Sequence, residues 1–254
     1  MSVRLQGTTI LLLALVASGL QATTIGIPGA EFRASYALAS NGRVAIQNLY
    51  GDVQITAWDR DEVLVQATKH ATGRLSNAQI VVDTSSGGVS IRTQYTGEDA
   101  EHPASVEFHI MVPRGTNLEN VKLVNGGLSL SGMAGPVKAS SVNGSIRAEK
   151  MEGSVDLTTV NGNLDAGFQR ISKCQPISLS SVNGPIKVSL PTGAGATVSA
   201  HNLSGGIAAD FGRTWKGSSG NRLEAAVNGG GAQIRVHNVN GGISILRRGV
   251  HPAS

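Results

Sequence analysis

The sequence predicts an all-β chain: a β-solenoid, of β-helix type, built from stacked coils of about 18–22 residues. Three observations predict it. First, the tripeptide Val-Asn-Gly recurs at Val124, Val142, Val160, Val182 and Val239, with Leu203-Ser204-Gly205 as a close variant. The steps are 18, 18, 22, 21 and 36 residues, the last being the length of two coils. Second, apolar residues hold fixed offsets around each Asn. Six before it stand Val137, Val155, Ile177, Val198 and Ile234; four before it stand Ala139, Leu157, Leu179, Ala200 and Val236. Three after it come Leu128, Ile146, Leu164, Ile186, Ile207 and Ile243. Polar residues such as Lys138, Asp156, Arg147 and Asp165 stand between, and this alternation gives each repeat two short strands with one buried face. Third, 33 Gly but only 2 Trp, 3 Tyr and 4 Phe suit a thin layered core, while 40% hydrophobic residues are far too many for a disordered chain.

Taken along the chain, Arg4 precedes an apolar stretch from Ile10 to Ala17, followed by small and polar residues to Ala22. These are the parts of a secretory signal peptide over residues 1–22. The apolar run is too short to span a bilayer, which takes roughly 20 residues. Export to the periplasm or cell envelope, or secretion, is therefore expected, with no transmembrane segment in the mature chain. A lead-in over 23–41 precedes a solenoid domain over 42–248 and a tail over 249–254.

The register also fits Val44, Ile46, Asn48, Gly51, Val53 and Ile55, and again Ile80, Val82, Thr84, Gly87, Val89 and Ile91, so coils are expected from near residue 42. Val106 to Val112 adds a strand ended by Pro113, and Trp58 is assigned to an N-terminal cap. The corners are assigned to Asn125-Gly126, Asn143-Gly144, Asn161-Gly162, Asn183-Gly184 and Asn240-Gly241, because Asn and Gly both tolerate positive φ. Stacked Asn side chains can form a hydrogen-bonded ladder. In a stack, like residues lie above one another at roughly 4.8 Å, which favours a solenoid over a hairpin sandwich. Handedness and the number of strands per coil stay open.

The signal segment, the opening VAIQNLYGDVQITAWDRDEVLVQA, the VPRGTNL segment and the VNG coils resemble a bacterial family of domains of unknown function labelled as candidate adhesins. The resemblance covers residues 42–246 and implies a β-solenoid on the envelope or secreted side of a bacterium. It brings no catalytic residues. The sequence departs from the pattern at Leu203-Ser204-Gly205 and from Phe211 to Gly220.

Composition and spacing weigh against several chemistries. Lys and Arg exceed Asp and Glu by only 21 to 17 and are scattered, so no nucleic-acid surface is expected. The single Cys174 excludes an intramolecular disulfide and a cysteine zinc site, and is read as buried. A carbohydrate-active enzyme of β-helical fold, a lyase or hydrolase, is the alternative function. It needs clustered carboxylates. From residue 121 on, the acids are Glu149, Glu152, Asp156, Asp165, Asp210 and Glu224, and none recurs at one offset. His201 and His237 share a His-Asn-Leu/Val context, but two repeat lengths separate them and no further ligand aligns, so no metal or cofactor is expected. Arg213, Trp215 and Lys216 interrupt the repeat and are the candidate ligand contacts, against the reading of a loop that covers the core. The expected function is non-enzymatic: a binding or structural module whose partner is an envelope polysaccharide or another envelope protein. A third reading, a scaffold stacking through its terminal coils, is disfavoured because Arg247 and Arg248 would close the last coil with charge.

Overall fold

The computed structural model describes residues 23–25, 31–70, 77–96, 104–211, 215–216 and 221–248. The proposed signal peptide and C-terminal tail lie outside the described residues. Strands β1 (Thr23–Ile25) and β2 (Glu31–Ala37) precede the repeat. The first rung is β3 (Arg43–Tyr50) with β4 (Val53–Trp58). After β5 (Glu62–His70) and β6 (Ala78–Ser85) the second rung is β7 (Gly88–Tyr95) with β8 (Ser105–Pro113). Four more follow: β9 (Asn117–Asn125) with β10 (Leu128–Ser131), β11 (Val137–Asn143) with β12 (Ile146–Met151), β13 (Val155–Asn161) with β14 (Leu164–Phe168), and β15 (Ile177–Asn183) with β16 (Ile186–Pro191). The remainder comprises β17 (Ala196–Ser204) with β18 (Ile207–Ala209), the pair β19 (Trp215–Lys216) and β20 (Arg222–Val227), and a last rung, β21 (Ala232–Asn240) with β22 (Ile243–Arg248).

Each rung gives its first strand to one sheet and its second to another. The first sheet runs β1-β6-β7-β3-β9-β11-β13-β15-β21-β17-β20-β19, the second β18-β22-β16-β14-β12-β10-β4-β8-β5-β2. The rungs pair parallel and in register: Ala139 faces Leu157, which faces Leu179. The alternation drives this, because inward residues such as Val155, Leu157, Leu164 and Ala166 are buried in one continuous core between the sheets. The chain is a β-solenoid with two strands per coil. Antiparallel strands cap it: β5 on β8 and β2 on β5, β6 on β7 and β1 on β6, β20 on β17 and β19 on β20.

The structure departs from the sequence reading in four places. Ile80 to Ile91 is not a coil: β6 and β7 form an antiparallel hairpin within one sheet. A Cβ at its Gly87 would meet nothing within 4 Å, so this turn is open and is no stacked corner. The rungs are also not stacked in chain order. β7/β8 lies outside β3/β4, and β21/β22 lies between β15/β16 and β17/β18. The 36-residue step therefore holds the β19–β20 cap and a single displaced rung. As a result β22, with Arg247 and Arg248, is the penultimate strand of its sheet, and uncharged Ile207–Ala209 is the terminal one. Finally, Cys174 is exposed. It sits in the segment between β14 and β15 that lengthens this step from 18 to 22 residues, outside the strand register that would turn it inward.

Trp58 ends β4 and ties that rung to the cap. Its indole Nε1 donates to the Glu62 carbonyl at 2.8 Å, and the Arg60 guanidinium lies 4.9 Å from the ring centre.

Candidate functional site: the corner and outer face of the first sheet

The corner that closes each first strand carries four parallel columns of residues. The glycine column is Gly51, Gly126, Gly144, Gly162, Gly184, Gly241 and Gly205. A Cβ on Gly126, Gly144, Gly162, Gly184, Gly241 or Gly205 would stand closer than 3.0 Å to the carbonyl oxygen of the glycine one rung away. The main chain there is continuous: Gly126, Gly144 and Gly162 donate N–H bonds to the Asn143, Asn161 and Asn183 carbonyls at 3.0, 3.0 and 2.9 Å. Close approach is the constraint common to the column: Gly51, Gly184, Gly205 and Gly241 also have positive φ, but Gly126, Gly144 and Gly162 do not. Only Lys150 and Asn228 are non-glycine residues with positive φ among the described residues, so the corner Asn residues are extended strand ends. Gly162 is likewise outside the positive-φ set, whereas Gly184 and Gly241 are in it, at 142° and 138°.

Beside the glycines runs the carboxamide column. Asn143 Nδ2 donates to Asn125 Oδ1 at 2.9 Å, Asn161 to Asn143 at 2.8 Å, Asn183 to Asn161 at 2.9 Å, and Asn240 to Asn183 at 3.0 Å. These bonds lie at the surface.

A third column points inward and was not singled out from the sequence: Asn48, Ser141, Thr159, Ser181, Asn238 and Asn202, all buried. Each serves a carbonyl of the neighbouring corner. Ser141 Oγ donates to Gly126 O at 3.1 Å, Thr159 Oγ1 to Gly144 O at 2.9 Å, Asn238 Nδ2 to Gly184 O at 3.1 Å, and Asn202 Nδ2 to Gly241 O at 2.7 Å. The signal was present. In SSVNG, TTVNG and HNVNG the residue two before the Asn continues the inward parity yet is polar.

The fourth column is aliphatic and faces out: Leu49, Val124, Val142, Val160, Val182, Val239 and Leu203 follow one another through the in-register pairs. Leu203 is 64% exposed, and Leu49, Val124, Val142 and Val182 are exposed too. The five valines are those of the repeated tripeptide, and Leu49 and Leu203 take the same place in their own rungs. An aliphatic row across seven rungs on a water-facing sheet is larger than the scattered exposed residues of an ordinary surface. Next to it stand Ser140, Thr158 and Ser180, and then His237 and His201. The rung order brings these two histidines together, although the sequence spacing did not require it. Their rings stack with centres 5.5 Å apart and planes 6° from parallel.

Trp215 and Lys216 form the strand that ends the first sheet, pairing antiparallel with Glu224 and Leu223. Arg213 lies outside the described residues. Phe211, at the start of the interruption, is buried against the core.

The acids are spread among cations. Glu149 pairs with Arg147 at 2.6 Å, Asp165 with Lys187 at 3.9 Å, Glu224 with Arg222 at 2.6 Å, and Asp210 with Arg247 at 3.7 Å. Glu152 joins three rungs through Arg114, at 3.7 Å, and Arg170. Among the described residues no group of three or more His, Cys, Asp or Glu is placed to hold a metal ion. The hydrogen bond to Glu149 raises the proton affinity of the Arg147 guanidinium. Burial pushes the Lys69 ammonium below its ordinary value and the Tyr95 hydroxyl above its own.

No match was found among curated protein sequences. Among solved structures, a candidate cell adhesion protein from Clostridium sporogenes matches at 12% identity, over 90% of this chain and 99% of that one, with a TM-score of 0.51. It shares the fold. A candidate adhesin from Bacteroides fragilis matches at 10% identity over 88% of this chain and 100% of that one, TM-score 0.35. A candidate lipid-binding protein from Parabacteroides distasonis matches at 9% identity over 87% and 97%, TM-score 0.31. The family model for Toastrack DUF4097 matches residues 4–246, which takes in every coil of the repeat, and the chain belongs to that family.

Proposed function

We propose that this chain is an exported, non-enzymatic binding module of a bacterial cell envelope, and that it meets its partner through the outer face of the first sheet. One observation carries the reading. The repeat sets an aliphatic side chain facing out on seven rungs, exposed at Leu49, Val124, Val142, Val182 and Leu203 and half-buried at Val160 and Val239, while the core is already filled from the other side of the same strands. Burying such a row against a partner gains about 25 cal/mol per Å² of apolar surface. The flanking carboxamides supply hydrogen-bonding groups at the same period. The Toastrack membership and the adhesin assignments of the solved relatives support a binding role. Export rests on the Ile10–Ala17 segment. The carboxylates engaged by Arg147, Lys187, Arg222 and Arg247 support a non-catalytic reading, since an acid–base pair in a glycosidase needs two free carboxyl groups facing one bond.

The partner class is an envelope polysaccharide or another envelope protein. The test is a glycan-array and envelope-fraction binding screen with the chain from Thr23 onward. A Val142→Lys/Val182→Lys variant should lose the binding seen for the unaltered chain. Arg147→Ala, on the other sheet, should keep it. Equal binding by all three proteins would move the contact elsewhere. Mass spectrometry of fractionated cells tests export: a chain found only in the cytoplasm would overturn it, and an intact Met1 outside the cytoplasm would overturn cleavage before Thr23.

A further inference from the structure

We propose that one internal water molecule bridges the side-chain oxygens of Asn202 and Asn238, acting as a built-in tie between the two rungs that stand out of chain order. The two residues are in-register neighbours on β17 and β21 and are completely buried. Both spend their amide nitrogens on main-chain carbonyls. Asn238 Nδ2 donates to Gly184 O at 3.1 Å; Asn202 Nδ2 donates to Gly241 O at 2.7 Å and to Gly206 O at 3.4 Å. Their Oδ1 atoms are buried and accept no hydrogen bond from the protein. Each such orphaned acceptor costs about 1–3 kcal/mol, and two on adjacent rungs call for a shared donor.

The other end of the column shows what that donor does. Asn48 occupies the equivalent position. Its Nδ2 serves Gly51 O and Val106 O, and its Oδ1 accepts from Thr93 Oγ1, one rung away, at 3.0 Å. The rungs of Asn202 and Asn238 have no such hydroxyl between them. An amide ladder like that of the outer column does not serve, because both N–H groups of Asn202 are already directed at Gly241 O and Gly206 O. Flipping either amide would set its oxygen against a glycine carbonyl. A bare cation is disfavoured, since the column of Ser181, Asn238 and Asn202 is neutral and burying an uncompensated charge is far costlier than burying water.

Geometry selects water in particular. In-register rungs repeat at about 4.8 Å, and both amides are anchored to equivalent carbonyls, so their oxygens repeat at about that spacing. A water donating both hydrogens at about 2.8 Å spans acceptors roughly 4.4–4.6 Å apart. Its two donors match the two orphaned acceptors, as expected of a buried structural water.

A crystal structure of the full chain, at a resolution that shows ordered water, tests this. A density peak within hydrogen-bonding distance of both Oδ1 atoms is expected. In an Asn202→Ser/Asn238→Ser variant the hydroxyls keep donating to the glycine carbonyls, as Ser141 does, and the peak should be lost. Absence of a peak in the unaltered chain overturns the proposal, as does a peak that persists in the double variant on main-chain contacts alone. If the double variant fails to fold, the unaltered crystal alone decides.

Discussion

Two sides of one strand, the inner and outer faces of β13, show how differently the same repeat is enforced in the dark and in water. Inward, Val155, Leu157 and Thr159 fill the core and bond the neighbouring corner. Outward, Thr158 and Asn161 meet solvent, and Asn161 continues the carboxamide column. Both faces repeat with the rungs, yet the inner repetition is a packing requirement while the outer costs little to alter. Regularity alone therefore does not mark a residue as structural. What separates the two faces is what a replacement would leave unsatisfied.

The largest effect is expected at Leu157, completely buried between Ala139 and Leu179. Leu157→Asp places a carboxylate in the core and should destabilise by several kcal/mol. Asp156→Ala, one residue away and half-exposed, should change stability by less than about 0.5 kcal/mol. Equal melting temperatures for the two variants would show that the inner face is misassigned.

Next is Gly162→Val. The new Cβ would collide with the carbonyl of Gly144, so the main chain of two rungs must part. A cost of about 1–3 kcal/mol or more is expected. Gly87→Val makes a sharper comparison. Its site is open, and only its φ of 76° opposes a side chain. Denaturant midpoints of the pair separate steric stacking from backbone conformation. A smaller loss at Gly162 than at Gly87 would show that close approach is not what selects the corner glycine.

The sequence made the rung legible because offsets around Val-Asn-Gly expose both strands and the corner at once. It concealed the rung order. Every first strand carries interchangeable columns, so nothing local distinguishes β17 beside β15 from β21 beside β15. The antiparallel cap β20 occupies the outer edge of β17, and that long-range pairing accompanies β17 in the terminal place. The Ile80–Ile91 hairpin was misread for the same reason: Gly87 looks like a corner until its surroundings are seen to be empty. The inner polar column is visible upstream only as Asn48, because in the Val-Asn-Gly coils the apolar alternation is followed only as far as the residue four before each Asn. The outer face was legible as a pattern but not as a surface: Val142 and Val182 fall on the outward parity of the alternation, yet the sequence presents them as part of the turn tripeptide, and only Asn143 and Asn183 leave the alternation.

Thr159→Val tests the inner column directly. It keeps the shape and removes the hydroxyl that donates to Gly144 O at 2.9 Å. The loss should be about 1–3 kcal/mol, because a partly buried carbonyl loses its donor. Thr159→Ser should retain most of the stability, as Ser141 and Ser181 make the same contact in adjacent rungs. Thermal unfolding of the two variants decides. Equal loss in both would assign the effect to methyl packing instead.

The smallest effect is expected on the outer side, at Asn161. Its carboxamide donates to Asn143 at 2.8 Å and accepts from Asn183 at 2.9 Å, so Asn161→Ala breaks two bonds of the ladder. Both bonds are at the surface, where water replaces the lost partners, and the residue is not held at positive φ. Strain relief and buried desolvation thus contribute nothing, and the loss should stay near about 1 kcal/mol. Stability and binding then become separable at this position, unlike at Leu157 or Gly162. If Asn161→Ala melts within a few degrees of the unaltered chain but loses its envelope ligand, the carboxamide column belongs to the contact surface together with the valines beside it. If it melts far lower, the ladder is a structural seam despite its exposure, and the contrast between the two faces of β13 fails.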